Sequence, residues 1–195
     1  MAKPNVISKD DLIKYAKECL VDKGIEKFTL RAVAETAGVT QGTIYYHFKT
    51  KEQLLIDIVQ DICETSWDGI SHSSECVIEQ AIESAKSRCS YDSFFHKLFL
   101  SLVASSFNNE KIRDQLGQIM MTENSALKEN LSNLWTKSPI EEISLDTWGI
   151  LFNVMVDGIA LQALLQRDFP IEKTYKDFEK LINGLNTLAI KEGDE

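Results

Sequence analysis

Residues 29–55 read TLRAVAETAGVTQGTIYYHFKTKEQLL, and this stretch decides the first part of the fold. Thr29 can cap a helix over residues 30–37, because its hydroxyl can accept a hydrogen bond from a free N–H group of the first turn. Gly38 can take the left-handed conformation that ends a helix and turns the chain. A third short helix is then expected from near Thr40 to Phe48. Two short helices joined in this way have the layout of a helix-turn-helix.

The side chains of the third helix suit contact with DNA. In a helix-turn-helix the second helix of the pair lies in the major groove, and the first crosses the phosphate backbone. Glutamine can bond adenine through two hydrogen bonds, and threonine offers a hydroxyl together with a methyl group that can meet thymine. Longer polar groups can reach the flanking phosphates, which position the protein rather than specify sequence. The predicted exposed positions are Thr40, Gln41, Thr43, Tyr46 and His47, and the predicted phosphate contacts are Tyr45, Tyr46, His47 and Lys51, with Arg31 able to reach a phosphate or a base edge.

The charge is distributed unevenly along the chain. The 195 residues carry a formal net charge of −9. Residues 1–51 hold nine Lys and Arg against six Asp and Glu, a net charge of +3, whereas residues 52–195 have a net charge of −12. A basic N-terminal part on an acidic remainder indicates that only the first quarter of the chain meets a polyanion.

The rest of the sequence predicts further helices and no strands. Proline occurs only at positions 4, 139 and 170, so helix breakers of this kind are nearly absent from the body. Apolar residues recur at three- and four-residue spacing, which is typical of amphipathic helices. We therefore predict an all-α fold of about nine helices, over residues 10–23, 30–37, 40–48, 50–67, 75–89, 91–107, 109–136, 141–166 and 171–190.

The string at residues 29–55 closely resembles the DNA-binding signature of the TetR family of bacterial transcriptional regulators. The resemblance covers about residues 6–66, with the helix-turn-helix at about 29–48, and implies a helical ligand-binding and dimerisation domain over 67–195. Gly42 stands where some members of the family have a side chain that touches bases, so base recognition is expected to depend more on Gln41 and Thr43. The DNA contacts that the resemblance implies are Thr29, Arg31, Thr40, Gln41, Gly42, Thr43, Tyr45, Tyr46, His47 and Lys51.

Large apolar side chains in the second half of the chain suggest a ligand pocket. Apolar pockets lined by aromatic side chains and a few polar groups are the usual small-molecule sites, and methionine adapts to varied ligand shapes. An ordinary hydrophobic core accounts for the same residues, and this alternative stays open. Asn153 is a further candidate polar anchor. The predicted pocket residues are Trp67, Phe94, Phe95, Phe99, Met120, Met121, Asn124, Trp148, Phe152, Met155 and Asp157.

The last two predicted helices indicate self-association. The segment 141–166 is apolar nearly all round, which requires burial on more than one side. The helix over 171–190 has its own apolar stripe. The family resemblance implies that these two helices form a four-helix bundle with their copies in a two-fold dimer. The predicted interface residues are Gly149, Gly158, Ile159, Ile182, Leu185 and Ala189.

Other classes of protein have little support in the sequence. It contains no GxGxxG, P-loop, GxSxG or HExxH motif, so we expect no catalytic residues, cofactor or metal site. The four cysteines lack metal-ligand spacing and are expected to be reduced, and neither a signal peptide nor a membrane span is predicted.

We expect a cytoplasmic bacterial repressor that binds palindromic operator DNA as a homodimer and is released by a small apolar or amphipathic effector. The alternatives are a DNA-binding activator or a regulator without a small ligand, and, more remotely, an all-helical enzyme or carrier.

Overall fold

The chain is helical throughout the part that the computed structural model describes, which is residues 7–70, 77–89 and 93–191. No strand occurs in these ranges, and the prediction of an all-α fold with about nine helices is confirmed. The helices are α1 (Lys9–Lys27), α2 (Leu30–Ala37), α3 (Gln41–Phe48), α4 (Lys51–Ile70), α5 (Val77–Arg88), α6 (Phe94–Ser106), α7 (Glu110–Leu134), α8 (Leu145–Leu165) and α9 (Ile171–Lys191).

Short-range side-chain hydrogen bonds set the starts of several helices. The Ser8 hydroxyl accepts a hydrogen bond from the Asp11 N–H at the start of α1, at 3.0 Å. The Thr50 hydroxyl accepts one from the Gln53 N–H at the start of α4, at 3.1 Å. The side chain of Gln53 donates to the Asp57 carboxylate at 2.9 Å, one turn further along α4.

The described residues fall into two compact units. The N-terminal unit consists of the residues up to Ile62 together with Lys97–Leu116, and the body unit consists of Cys63–His96 together with the residues from Gly117 onward. Helices α4, α6 and α7 therefore each contain residues of both units. The predicted domains, 6–66 and 67–195, follow a division of the sequence and stay a prediction.

The body unit is held by an aromatic cluster. Trp148 stacks on Phe152 with ring centroids 5.7 Å apart, and Trp135 meets Trp148 edge-on at 5.9 Å. Phe178 of α9 adds a fourth ring, 5.8 Å from Phe152. Such pairs contribute about 0.5–1.5 kcal/mol each beyond the apolar area that they bury. The cluster packs α9 against α8.

Among the described helices, α8 is long and apolar enough to cross a membrane by length and composition. Trp148, Phe152, Ala160 and Ala163 of this helix are buried in the body unit. Burial in a protein core accounts for an apolar helix of this kind.

Candidate DNA-binding surface and effector cavity

The turn between α2 and α3 is built by residues that cap helices. The Thr29 hydroxyl accepts a hydrogen bond from the Ala32 N–H at 3.0 Å and begins α2. Gly38 ends that helix with φ 65° and ψ 30°, a left-handed conformation that favours glycine. The Thr40 hydroxyl then accepts from the Thr43 N–H at 3.3 Å and begins α3. The predicted helix-turn-helix is present with its predicted bounds.

A small apolar core fixes α3 against α2. Ile44 and Phe48 of α3 are fully buried, and Val33 and Ala34 of α2 are buried opposite them in the same unit. Val39, in the turn between the two helices, is half-buried. Because Ile44 and Phe48 are four residues apart, they lie on one face of α3 and leave the other face outward.

The outward face of α3 carries most of the predicted DNA contacts. Gln41 and Gly42 are exposed at the start of the helix, and Tyr45 and Tyr46 are 57% and 72% exposed. Two adjacent aromatic side chains with this much exposed surface indicate a site of contact with a partner. The hydroxyls of Thr40 and Thr43 lie 3.1 Å apart, so these two threonines bond each other at the base of this face. His47 is half-buried.

Lys49 is a candidate contact that the sequence prediction did not include. It caps α3 with φ 64° and ψ −47°, a positive φ that is uncommon for a residue with a side chain. Its ammonium lies 5.6 Å from the ring centroid of Tyr45 and 5.2 Å from that of Tyr46. The cation therefore sits beside the two exposed tyrosines, at the end of the outward face. Its position directly after the predicted helix-turn-helix could have identified Lys49 as a contact from the sequence.

Two of the predicted contacts have partners within the chain. Arg31 is exposed, and its Nε donates to Glu35 Oε1 at 3.0 Å, one turn along α2. Lys51 is half-buried, and its ammonium donates to the carbonyl of Ile25 at 3.3 Å while lying 5.9 Å from the ring centroid of Phe28. An exposed ion pair such as that of Arg31 is worth less than about 1 kcal/mol, so a phosphate can replace the glutamate easily. Lys51 holds the end of α1 and is the less available of the two.

The body unit contains an apolar cavity of about 750 Å³, a volume that includes its opening to solvent. Its walls come from α4, α5, α7, α8 and α9. The apolar and aromatic lining residues are Trp67, Ile78, Ala81, Ile82, Ala85, Leu127, Leu131, Leu134, Phe152, Val156, Phe178 and Ile182, and the polar ones are Arg88, Glu123, Asn130 and Asn153. Of the predicted pocket residues, Trp67 and Phe152 line this cavity, as does the predicted polar anchor Asn153.

The other predicted pocket residues do not line this cavity, because their helices present them elsewhere. Phe95 is buried beside His96, and Trp148 lies within the aromatic cluster. Met121 is 62% exposed. The remaining members outside the lining are Phe94, Phe99, Met120, Asn124, Met155 and Asp157, of which Phe99 belongs to the N-terminal unit.

Two of these residues have side-chain partners, and the partner of Asn124 lines the cavity. The Asn124 side-chain oxygen accepts a hydrogen bond from Asn153 at 2.8 Å and so orients a residue that does line the cavity. The Asp157 carboxylate lies 3.6 Å from Nε2 of His96.

Glu123 is the buried acid of the cavity, and the sequence prediction missed it. The indole N–H of Trp67 donates to its Oε1 at 2.7 Å. Burial raises the pKa of this carboxyl above its ordinary value of 4.5, and the hydrogen bond from Trp67 and the charge of Arg88 oppose the rise. Glu123 occupies a position on the apolar stripe of α7, between Ile119 and Leu127. A charged residue at such a position was the signal that could have identified it.

Burial also raises the pKa of the thiols of the body unit. Burial, reinforced by Glu123, raises the pKa of the Cys63 thiol well above its usual range. Burial also raises the pKa of Cys89, whose sulfur lies 2.8 Å from the Tyr175 hydroxyl. Cys19, Cys63 and Cys89 are all free, whereas Cys76 lies outside the described residues. A thiol with a raised pKa is a poor nucleophile at neutral pH.

Several of the predicted interface residues pack inside the chain instead. Ile182, Leu185 and Ala189 are buried within the body-unit core, so their stripe on α9 is already covered. A Cβ built on Gly149 would lie 2.7 Å from the Asn124 carbonyl oxygen, which makes this glycine a close approach of α8 to α7. These four residues therefore pack inside the chain, and their part in a dimer interface stays a prediction. Gly158 and Ile159 are half-buried.

A different apolar face of α8 and α9 remains uncovered. Its members follow one another at helical spacing, which places them on one side of each helix. They are Ile150, Leu151, Val154, Leu161 and Leu165 on α8 and Leu181 and Leu188 on α9, and each is between 39% and 76% exposed. We call these seven residues the exposed α8–α9 face.

Comparison with known proteins shows which regulators this chain is similar to. The family model for bacterial regulatory proteins of the tetR family matches residues 12–58. The HTH-type transcriptional repressor KstR2 of Mycolicibacterium smegmatis is 34% identical over 56 residues, which is 29% of this chain and 27% of that protein. The Fatty acid metabolism regulator protein of Bacillus subtilis is 27% identical over 148 residues, which is 76% of this chain and 66% of that protein.

The alignments with the first curated relatives thus span less than a third of those proteins' length. The fold agreement extends further than the sequence agreement. The crystal structure of a TetR transcription regulator from Haloarcula marismortui has a TM-score of 0.68 at 14% identity, covering 93% of this chain and 96% of that one. The match to the tetR family model includes the helix-turn-helix described above, so the N-terminal part of this chain is similar to the DNA-binding part of that family.

Proposed function

We propose that this protein is a cytoplasmic transcriptional repressor that binds a pseudo-palindromic operator as a homodimer and is released by a small, largely apolar effector. The observation that carries the proposal is the outward face of α3, which is largely exposed and presents glutamine, threonine and tyrosine side chains. The charge division supports the same assignment, because the N-terminal part is basic while the whole chain is acidic.

Within this proposal, Gln41 and Thr43 contact base edges in the major groove. A bidentate amide contact to adenine discriminates against a wrong base by about 1–3 kcal/mol. Tyr45, Tyr46 and Lys49 contact phosphates, which fix the position of α3 in the groove without selecting sequence. Thr29, Arg31, Thr40, Gly42, His47 and Lys51 complete the proposed contact surface.

The exposed α8–α9 face is the proposed dimer interface. Burial of apolar surface contributes about 25 cal/mol per Å², which favours association when two copies of this face meet. An isologous contact makes a two-fold dimer, in which each subunit supplies one α3. Two-fold symmetry in turn requires operator half-sites about one helical turn apart, or a multiple of it.

The body-unit cavity is the proposed effector site. It combines apolar walls with a few polar groups, as small-molecule sites usually do. Trp67 of its lining lies on α4, the helix that begins directly after α3 and contains residues of both compact units. An effector that binds better to a conformation mismatched to the operator must lower DNA affinity, and the operator must lower effector affinity by the same factor.

The DNA-binding part of the proposal is tested by selecting DNA from a random library with the full-length protein. We expect the enriched fragments to share a pseudo-palindrome, and Gln41→Ala to bind that fragment about tenfold or more weakly while binding scrambled DNA as the wild type does. Enrichment of no sequence, or of a single unrepeated half-site, would contradict the proposal. Two other candidates, an activator and a regulator without an effector, share the DNA contacts and differ only in the effect of bound protein or ligand on transcription.

A further inference from the structure

Two charged side chains line the apolar cavity, and their surroundings differ. Arg88 is at the end of α5 and Glu123 is in the middle of α7. Each occupies a position where the apolar stripe of its helix continues, so the helix directs it inward with its hydrophobic neighbours. A charge in such a place is costly unless a partner compensates it.

The Arg88 guanidinium has more N–H groups than the hydrogen bonds that it makes with described residues. Its Nε donates to the Ser84 carbonyl oxygen at 3.3 Å, and its guanidinium carbon lies 5.4 Å from the ring centroid of Phe95. Among the described residues, no carboxylate oxygen lies within 4.0 Å of its guanidinium, and its terminal nitrogens make no hydrogen bond. Arginine stays protonated and can only donate. A ligand group placed beside Arg88 must therefore accept hydrogen bonds, and a negative charge is favoured.

Glu123 limits how much negative charge the cavity can take. Its carboxyl already accepts a hydrogen bond from Trp67 and is nine-tenths buried. An acidic ligand group held close to Glu123 is repelled by this carboxylate. A ligand group with two negative charges is repelled more strongly than a group with one. Among the described residues Arg88 is the one cation that lines the cavity, and its charge already acts on Glu123, so a ligand with one negative charge is favoured over a ligand with two.

We infer that the cavity binds an amphipathic monocarboxylate, with its carboxylate on the Arg88 guanidinium and its apolar tail along the aliphatic wall formed by α5, α7 and α9. The inference rests on the proposed function, since it names the class of effector for that same cavity. The planar fork of arginine matches a carboxylate through two parallel hydrogen bonds. The aliphatic wall is formed by Ile78, Ile82, Leu127, Leu131, Leu134 and Ile182.

The test is calorimetric titration of the full-length protein, without DNA, using four probes with an unbranched chain of ten carbons: decanoate, decanol, decylammonium and decyl phosphate. We expect decanoate to bind about tenfold or more tightly than decanol, which corresponds to a charge-assisted hydrogen bond. Decylammonium and decyl phosphate are expected to bind more weakly than decanoate. The inference is overturned if either of these charged probes binds more tightly.

Variants assign the preference to one side chain. Arg88→Gln is expected to remove the advantage of decanoate over decanol and to leave decanol affinity within about threefold of wild type. The matched control is Arg113→Gln, since Arg113 is an exposed arginine of α7 that pairs with Glu110 and does not line the cavity. A decanoate preference that survives Arg88→Gln overturns the inference.

A second variant keeps the test decisive if Arg88→Gln does not fold. Glu123→Gln removes the neighbouring acid and keeps an oxygen for Trp67, so decanoate affinity is expected to rise about threefold while decanol affinity stays unchanged. An unchanged or lower decanoate affinity contradicts the inference. If none of the four probes binds, the effector cavity of the proposed function fails. If decanol or decylammonium binds best and releases the selected DNA, the cavity stands and only the carboxylate assignment fails.

Discussion

Replacing Gly149 with alanine tests how closely α7 and α8 pack in the body unit. The added Cβ would lie 2.7 Å from the Asn124 carbonyl oxygen and 3.2 Å from the Lys128 backbone nitrogen. Both atoms belong to the backbone of α7 and cannot move without the helix. Ordinary van der Waals contact begins at 3.4 Å, so the two helices must separate locally by about 0.7 Å.

The expected cost follows from two opposing terms. Forcing an extra carbon into a packed interface destabilises a protein by about 1–3 kcal/mol. Alanine in place of glycine inside a helix gains about 0.5–1 kcal/mol. The separation also lengthens the hydrogen bond from Asn153 to Asn124, which is 2.8 Å. We therefore expect the free energy of unfolding to fall by about 1–2 kcal/mol.

Urea unfolding at one fixed protein concentration measures this change, because oligomerisation makes stability depend on concentration. The matched control is Gly117→Ala, since a Cβ at Gly117 of α7 meets nothing within 4 Å. This control is expected to gain about 0.5–1 kcal/mol. If Gly149→Ala proves as stable as Gly117→Ala, the close approach of α8 to α7 is refuted.

Three further changes test other parts of the molecule. Tyr46→Phe should weaken binding to the selected operator and to scrambled DNA by a similar factor in gel-shift titrations, since a phosphate contact carries no sequence information; a loss confined to the operator would contradict that assignment. Leu161→Lys on the exposed α8–α9 face should yield a folded monomer in analytical ultracentrifugation. The control Met121→Lys, at an exposed apolar site on α7, should leave the proposed dimer intact. A dimer that persists in Leu161→Lys would exclude this interface. Because the pKa of Glu123 is raised in the folded protein, this carboxyl holds its proton more strongly in the folded than in the unfolded state, and its contribution to stability should fall as pH rises above 4.5. Glu123→Gln should flatten this fall in urea unfolding followed against pH, and an unchanged slope would be the contrary result.

Local interactions allowed the sequence to predict the helices and the helix-turn-helix. The hydroxyls of Thr29, Thr40 and Thr50 each bond an N–H group three residues ahead, and Gly38 takes a positive φ. These devices act within one turn of the chain, so their effect can be inferred without knowing what the helix later packs against. Gly24 belongs with them, since its φ of 73° interrupts α1 at the predicted stop.

What covers each apolar face was decided only by the tertiary structure. The apolar stripe that contains Ile182 and Leu185 indicates burial. Its period is the same whether another helix of the chain or a second copy of the chain packs on it. The structure covers it inside the chain and leaves a different face of α8 and α9 exposed. The effector cavity depended on the same information, because Arg88 and Glu123 are far apart in sequence. They line one cavity only because the tertiary fold brings α5 and α7 to its walls, and no local interaction encodes which helices meet.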